Sequence, residues 1–170
     1  MDDAVALEPT EKIAAVYARP FKLSYVLTLA EHQLSTNLHV KNTSTSGVLE
    51  FQALFHNYIR APSKDVLITP LQHTSYYDKT ESTEEGRITP KVETRASVDV
   101  EQFTDSVYDD VPQTYQVTWP GGGVELRSTN LKNLVVWNPQ AEAGRKIGDM
   151  EEGGWYVHVY NSHFLSHEGG

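Results

Sequence analysis

The sequence lacks cysteine altogether, contains no long hydrophobic run and carries fewer basic than acidic residues. Without cysteine it has no disulfide framework, thiolate zinc site, iron–sulfur cluster or cysteine nucleophile. No apolar run approaches the roughly 18 residues of a membrane-spanning helix. There are 14 Lys and Arg against 23 Asp and Glu, a formal net charge of -9, whereas phosphate binding needs clustered cations. We therefore expect neither a nucleic-acid nor a membrane partner.

The length of 170 residues predicts one domain with enough buried surface for a core. Residues 1–7 include two Asp and no Lys or Arg, a composition that does not fit a secretory or mitochondrial leader. The expected location is therefore the cytoplasm.

Short segments of alternating apolar and polar residues dominate the chain, a pattern typical of half-buried β-strands. We expect strands at 21–29, 33–40, 48–60, 66–69, 92–98, 114–119, 124–128, 134–137 and 156–160. The first two strands should form an antiparallel hairpin, and one short helix is expected near 10–18. The polar segment 77–90 is expected to be a loop. The predicted fold class is all-β, an antiparallel sandwich with one short N-terminal helix.

His56 is the first candidate for chemistry. It shares one face of its predicted strand with Gln52, Tyr58 and Arg60, so this face becomes polar towards the strand end. Such a face can bind the hydroxyl groups of a sugar, and an imidazole can donate or accept a proton near neutral pH. The alternative is a structural histidine that is satisfied within the fold.

Three further residues are candidates for substrate binding. The two carboxylate oxygens of Asp105 can accept hydrogen bonds from adjacent sugar hydroxyls, although a solvated acidic loop explains the same sequence. Trp137 and Asn138 end an apolar strand, where core packing explains the indole as well as sugar stacking does. The histidines of the tail, at 158, 163 and 167, have no evident structural frame, so we expect no metal site.

Four segments, taken together and in order, resemble the glucose-6-phosphate 1-epimerases, or hexose-6-phosphate mutarotases, of fungal type. These enzymes are relatives of the aldose 1-epimerases within the galactose mutarotase-like superfamily. The segments are Phe51-Gln52-Ala53-Leu54-Phe55-His56-Asn57-Tyr58, Phe103-Thr104-Asp105-Ser106-Val107-Tyr108, Val136-Trp137-Asn138-Pro139 and Ile147-Gly148-Asp149-Met150. The resemblance covers about 20–155 and implies part of an antiparallel β-supersandwich, with 1–170 forming a single incomplete domain and 156–170 a divergent tail.

The resemblance also implies a reaction and a set of roles. Family enzymes interconvert the α and β anomers of glucose 6-phosphate by general acid/base ring opening, without a cofactor. By resemblance, His56 is the acid that protonates the ring oxygen, and Asp105 holds sugar hydroxyls. Gln52, Trp137 and Asn138 are the other expected substrate contacts, and the expected partner is a hexose 6-phosphate.

The chain also departs from the family pattern. It lacks the roughly half-length portion that carries a second substrate histidine and the phosphate-binding arginines, and Tyr160 stands near the place of the catalytic glutamate. A phenol with a pKa of about 10 is a poor base at neutral pH. One hypothesis for the tail is a retained intron, because any coding of Trp155-Tyr156-Val157 contains a sequence that resembles a fungal intron start; sequencing spliced transcripts would test it.

The sequence therefore supports two functions. The first is a carbohydrate isomerase of the aldose 1-epimerase class with impaired activity, and the alternative is a non-catalytic carbohydrate-binding β-sandwich fragment. A β-supersandwich of which only about half is present exposes sheet edges and an apolar face. We therefore expect marginal stability or self-association.

Overall fold

A computed structural model describes residues 2–62, 64–147 and 156–168, with only the backbone described for 2–4 and 156–168. Within these ranges the chain forms short helices and many antiparallel strands, as the sequence predicts. None of the helices in the described ranges is long and apolar enough to cross a membrane.

The elements follow the chain in this order: β1 (Asp2–Leu7), α1 (Glu11–Val16), β2 (Phe21–Leu29), β3 (Leu34–Asn42), β4 (Val48–Arg60), β5 (Leu67–Thr69), β6 (Ser75–Asp78), α2 (Glu84–Ile88), β7 (Lys91–Val92), β8 (Thr104–Tyr108), β9 (Thr114–Trp119), β10 (Gly122–Arg127), β11 (Asn133–Asn138), α3 (Gln140–Gly144) and β12 (Tyr156–Glu168). They build a three-stranded sheet in the order β1-β2-β3, a second in the order β10-β9-β5, and a six-stranded sheet in the order β4-β12-β11-β8-β6-β7.

The chain divides into two compact units. The first comprises residues 1–52 with 164–170, and the second comprises 53–163. In the first unit, β2 pairs with β1 and β3, and the register places Leu23 opposite Val40 and Leu29 opposite Leu34. The predicted hairpin of β2 and β3 is confirmed. The predicted helix is also confirmed, and the Thr10 hydroxyl accepts a hydrogen bond from the Ile13 amide at its N-terminus.

The second unit holds the hydrophobic core. Ile68 of β5 and Val117 of β9 come from the three-stranded sheet, and Tyr108 of β8 and Val136 of β11 come from the six-stranded sheet, all fully buried. The alternation along these strands places every second residue on the core side. The second unit is therefore a sandwich of two sheets, and the six-stranded sheet has a second face directed away from this core.

Two segments differ from the sequence-based expectation. The strand predicted at 92–98 is wrong, because β7 is only Lys91–Val92 and Val98 forms a single bridge with Ile68. The loop predicted at 77–90 is also wrong, because it includes the end of β6 and the helix α2. The Thr83 hydroxyl caps α2 by accepting a hydrogen bond from the Gly86 amide.

Candidate functional site

The six-stranded sheet has a core face and an outer face, and the candidate site lies on the outer one. On β11, Leu134, Val136 and Asn138 are buried, whereas Val135 and Trp137 alternate with them and are half-buried. β8 follows the same alternation, with Tyr108 buried and Asp105 half-buried. We call the side that carries Asp105 and Trp137 the outer face.

Asp105 and Trp137 are direct neighbours on this face. The antiparallel register of β8 and β11 places their Cα atoms opposite each other, and directly opposed side chains on one face of a sheet are close enough to interact. A carboxylate beside an indole combines a hydrogen-bond acceptor with a flat apolar surface. Both are useful for binding a sugar ring.

His56 lies on the outer face of β4, in the same sheet. Ile59 of this strand packs against the core, and the residues of even number from Val48 to Arg60 are exposed, His56 among them. The imidazole stacks on the ring of Tyr58, with the centroids 4.7 Å apart and the planes at 29°. His56 is therefore exposed rather than in the core, and both its proposed role and the alternative of a structural histidine stay predictions.

The strand order fixes how a ligand could contact these residues. β12 and β11 separate β4 from β8, so three strand spacings lie between His56 and Asp105, about 14 Å in the hydrogen-bonding direction. A single ligand that contacts both residues must therefore lie across β12 and β11, over the strand that carries Trp137.

The electrostatic environment of Asp105 opposes its ionisation. Burial of the carboxyl group raises its pKa, and the carboxylate of Asp78 raises it further, whereas the ammonium group of Lys79 acts in the opposite direction. The net result is a pKa above the ordinary value for aspartate. A carboxylate in such a place is costly in stability and is a candidate for a functional group.

The other two predicted substrate contacts are not brought together with Asp105 and Trp137 by the described geometry. Asn138 is only 2% exposed and is on the core side of β11, where its Oδ1 accepts hydrogen bonds from the backbone and side-chain nitrogens of Gln140 at 2.8 and 3.0 Å. Gln52 is exposed on β4 and is the last residue of the first unit's main segment. Their proposed roles remain predictions.

Sequence reasoning missed the residues that border Asp105 on its other side. Tyr77 of β6 pairs with Val107, so it shares the outer face, and the backbone amide of Lys79 donates a hydrogen bond to the Asp105 carbonyl oxygen at 2.7 Å. The signal was hidden because the polar sequence after Tyr77 reads as a loop. Its order comes from tertiary contacts of Lys79, Arg87 and Lys91.

The sequence also gave no indication of a buried ionic cluster on the core side of β8. Glu93 is 2% exposed and accepts hydrogen bonds from the Tyr108 hydroxyl and from the backbone and guanidinium of Arg95. Burial opposes ionisation of Glu93, but the hydrogen bonds from Arg95 and Tyr108 prevail and lower its pKa to about 2. Burial raises the pKa of Tyr108, and the hydrogen bond to the same carboxylate raises it further.

No group of three or more His, Cys, Asp or Glu side chains that could hold a metal ion occurs in the described part of the chain. The side chains of His158, His163, His167 and Tyr160 lie outside the described residues, as does the Gly148-Asp149-Met150 motif. The backbone of 156–168 is described. It forms β12 and confirms the predicted strand, with Val135 opposite residue 160 and Trp137 opposite residue 158.

The sheets have the galactose mutarotase-like β-sandwich fold, which comparison with solved structures shows. The YeaD protein of Salmonella typhimurium, described as a putative mutarotase, matches with a TM-score of 0.77 and 17% identity, over 96% of this chain and 52% of its own. A galactose mutarotase-like protein from Lactobacillus casei matches with a TM-score of 0.70 and 12% identity, over 95% of this chain and 57% of its own.

A galactose mutarotase related enzyme from Lactobacillus acidophilus matches with a TM-score of 0.72 and 13% identity, over 95% of this chain and 55% of its own. The chain therefore spans about half the length of the solved proteins it resembles. No family model matches the sequence.

Proposed function

We propose that this chain is a carbohydrate-binding member of the aldose 1-epimerase class, with its sugar site on the outer face. The observation that carries the proposal is the presence of His56, Asp105 and Trp137 on one face of one sheet of the second unit. A proton-transfer group, a hydroxyl acceptor and an aromatic platform are the parts that a sugar site needs.

The proposed substrate is a hexose 6-phosphate, specifically glucose 6-phosphate, and the proposed reaction is exchange of its α and β anomers. A base removes the proton of the anomeric hydroxyl while an acid protonates the ring oxygen, so the C1–O5 bond breaks and an open-chain aldehyde forms. Rotation about C1–C2 and ring closure on the other face complete the exchange. His56 would be the acid, Asp105 would accept hydrogen bonds from sugar hydroxyls, and Trp137 would lie under the ring.

A second candidate is a binding module without turnover. β12 lies between the strands of His56 and Trp137, and its sequence from 156 to 167 contains no Asp or Glu. A carboxylate, the kind of general base that the resemblance implies, is therefore not supplied by this central strand at any position before Glu168. An acid that lacks this matched carboxylate base forgoes roughly 100- to 10,000-fold of rate, so little or no turnover is the expected result.

Two NMR measurements test these functions. Chemical-shift titration with glucose 6-phosphate reports binding, and magnetisation exchange between the anomeric protons reports turnover. Replacement of His56 by Gln is expected to remove any turnover and to leave the fold unchanged, and His32→Gln serves as the control because His32 is an exposed histidine of the first unit.

Binding with exchange that His56→Gln abolishes supports the isomerase. Binding without exchange supports the binding module. Absence of binding at millimolar sugar phosphate contradicts both.

The proposal treats the two units as parts of one incomplete mutarotase-like domain. The support is that the solved structures match over 95–96% of the chain, which includes both units. A cytoplasmic location belongs to the same proposal and is supported by the absence of cysteine; imaging of a tagged chain tests it.

A further inference from the structure

We propose that Lys79 is a positioning residue of the candidate site, whose anchored ammonium charge keeps the neighbouring Asp105 carboxylate ionised. The inference adds a residue to the sugar site of the proposed function and rests on that function for its biological meaning. Its physical content is the ionisation of Asp105, which can be measured without a sugar.

The backbone brings the two residues together. β6 and β8 pair with Asp78 opposite Ser106, so Lys79, the turn residue that directly follows β6, comes next to Asp105. The Lys79 amide donates to the Asp105 carbonyl oxygen at 2.7 Å. Lys79 thus adjoins β8 beside Asp105, and Trp137 of β11 lies on the other side of Asp105.

The Lys79 ammonium is held by contacts that do not involve Asp105. Nζ donates a hydrogen bond to the Arg87 carbonyl oxygen at 2.9 Å and lies 5.1 Å from the centroid of the Tyr77 ring. The Arg87 guanidinium in turn donates to the carbonyl oxygens of Glu81 and Ser82. The charge is therefore anchored by the segment around α2 rather than carried on a free side chain.

The surroundings explain why Asp105 needs this cation. Among the described residues, the charged groups that act on Asp105 are Lys79 and Asp78, both from the adjoining end of β6. Asp78 is itself ionised, because hydrogen bonds from Thr80 and Lys91 outweigh its burial and lower its pKa. Trp137 on the opposite side contributes no charge. Lys79 is thus the group that favours the ionised form of Asp105, against burial and a neighbouring carboxylate.

Consequences follow for ligand binding. An ionised carboxylate is only an acceptor and forms stronger hydrogen bonds to hydroxyl donors than a neutral carboxyl does. Without Lys79, the Asp105 carboxyl group would take up its proton at a higher pH. On acidification, the affinity for the sugar would therefore begin to fall at a higher pH than in the wild type.

The test is a carbon-detected NMR titration of the Asp105 carboxyl in the full chain. Lys79→Met keeps the aliphatic stem and removes the charge, so the pKa of Asp105 is expected to rise. Lys79→Gln is a second neutral variant in case the first does not fold, and Lys79→Arg should keep the wild-type value. Asp78→Asn should lower the pKa of Asp105, because it removes the repelling charge. Lys64→Met, at an exposed turn, is the control and should change nothing.

An unchanged titration of Asp105 in a folded Lys79→Met or Lys79→Gln chain overturns the inference, since a merely structural lysine would leave that value alone. A second arm follows glucose 6-phosphate affinity from pH 4 to 8, where the acid limb of the Lys79→Met profile should move to higher pH. If the variants show the expected shifts in the Asp105 titration but the wild-type chain binds no sugar, the proposed function is refuted and the effect of Lys79 on Asp105 still holds.

Discussion

At the scale of residues, Glu93 is a buried carboxylate that several hydrogen-bond donors surround. Its carboxylate is buried, and it accepts hydrogen bonds from the Arg95 guanidinium at 2.8 and 2.9 Å and from the Tyr108 hydroxyl at 2.8 Å. Removing one partner of a buried ion pair leaves the other without compensation. We expect Glu93→Gln to lower the free energy of unfolding by about 2–3 kcal/mol, since Arg95 is partly exposed and regains water.

Chemical denaturation measures this loss, and Glu125→Gln is a matched control. Glu125 also pairs with an arginine, Arg127, but this pair lies at the surface, where ion pairs contribute little. Equal stability of Glu93→Gln and the wild type would contradict the structural account of the cluster.

Glu93 also predicts how stability depends on pH. Its pKa is about 2 in the folded chain against 4.5 for the free group, so between these values the unfolded chain binds more protons than the folded one. Its contribution, at most about 3 kcal/mol, is complete above pH 4.5 and is lost as the pH falls towards 2. In Glu93→Gln this part of the acid destabilisation should be absent from denaturation curves recorded between pH 2 and 6.

The site was predictable from sequence only where a residue lies on a regular strand. His56 stands in a long alternating strand, so its face could be inferred before the structure. Lys79 could not be found, because it follows a four-residue strand and owes its place to Arg87 and Tyr77. Its place beside Asp105 is set by the pairing of β6 with β8, which is distant in sequence and carries no local signal.

At the scale of elements, the turn between β9 and β10 depends on a single backbone conformation. Gly121 has φ of +87°, and an added Cβ would meet nothing within 4 Å, so a substitution there reports backbone strain alone. We expect Gly121→Ala to cost about 1–2 kcal/mol, the penalty of an L-residue in the left-handed region. Gly121→Asn should cost less, because asparagine tolerates this conformation; thermal unfolding of both variants checks the order.

The strand predictions are correct where apolar and polar residues alternate over a long segment. They are wrong or missing where the alternating segment is short. The bounds of β2, β4 and β9 match the expectation, since apolar and polar residues alternate in the sequence of each over six residues or more. No strand was predicted at β8, where an acidic loop stayed open as an alternative, although the buried Ser106 and Tyr108 alternate with half-buried residues. Five residues that are followed directly by two aspartates do not separate a strand from a loop by pattern alone.

The sheet of β1, β2 and β3 carries an exposed apolar face. The register groups Leu7, Leu23 and Val40 in one row and Val5, Tyr25 and Leu38 in the next, and Leu29 and Leu34 are 62% and 64% exposed. Contiguous apolar surface of this kind favours association. We expect the chain to self-associate at micromolar concentration, and the double variant Leu34→Glu with Leu38→Glu to be less associated.

Sedimentation velocity over a concentration series measures this. The control is Asn37→Glu with His39→Glu, which adds two carboxylates to the same strand at exposed positions of the opposite face. A monomeric wild type, or equal effects of both double variants, would contradict association through this face.

At the scale of the whole molecule, buried residues are distributed unevenly between the two units. The hydrophobic core cluster lies entirely within residues 53–163. Among the side chains that the structure describes in residues 1–52 of the first unit, only those of Leu49 and Asn42 are buried. Burial of apolar surface is the main favourable term in folding, so the second unit should hold most of the stability.

Native-state hydrogen exchange tests this distribution. Amides of β2 and β3 are paired on both sides or along one edge, yet few buried contacts oppose their opening. We expect their protection factors to be at least about tenfold lower than those of β9 and β11, a difference of about 1.4 kcal/mol in opening free energy. The comparison is made at a concentration where sedimentation shows a monomer, because association would protect the apolar face. Equal protection factors in both units would mean that the chain opens as one cooperative body. The uneven burial would then produce no difference in opening free energy between the units.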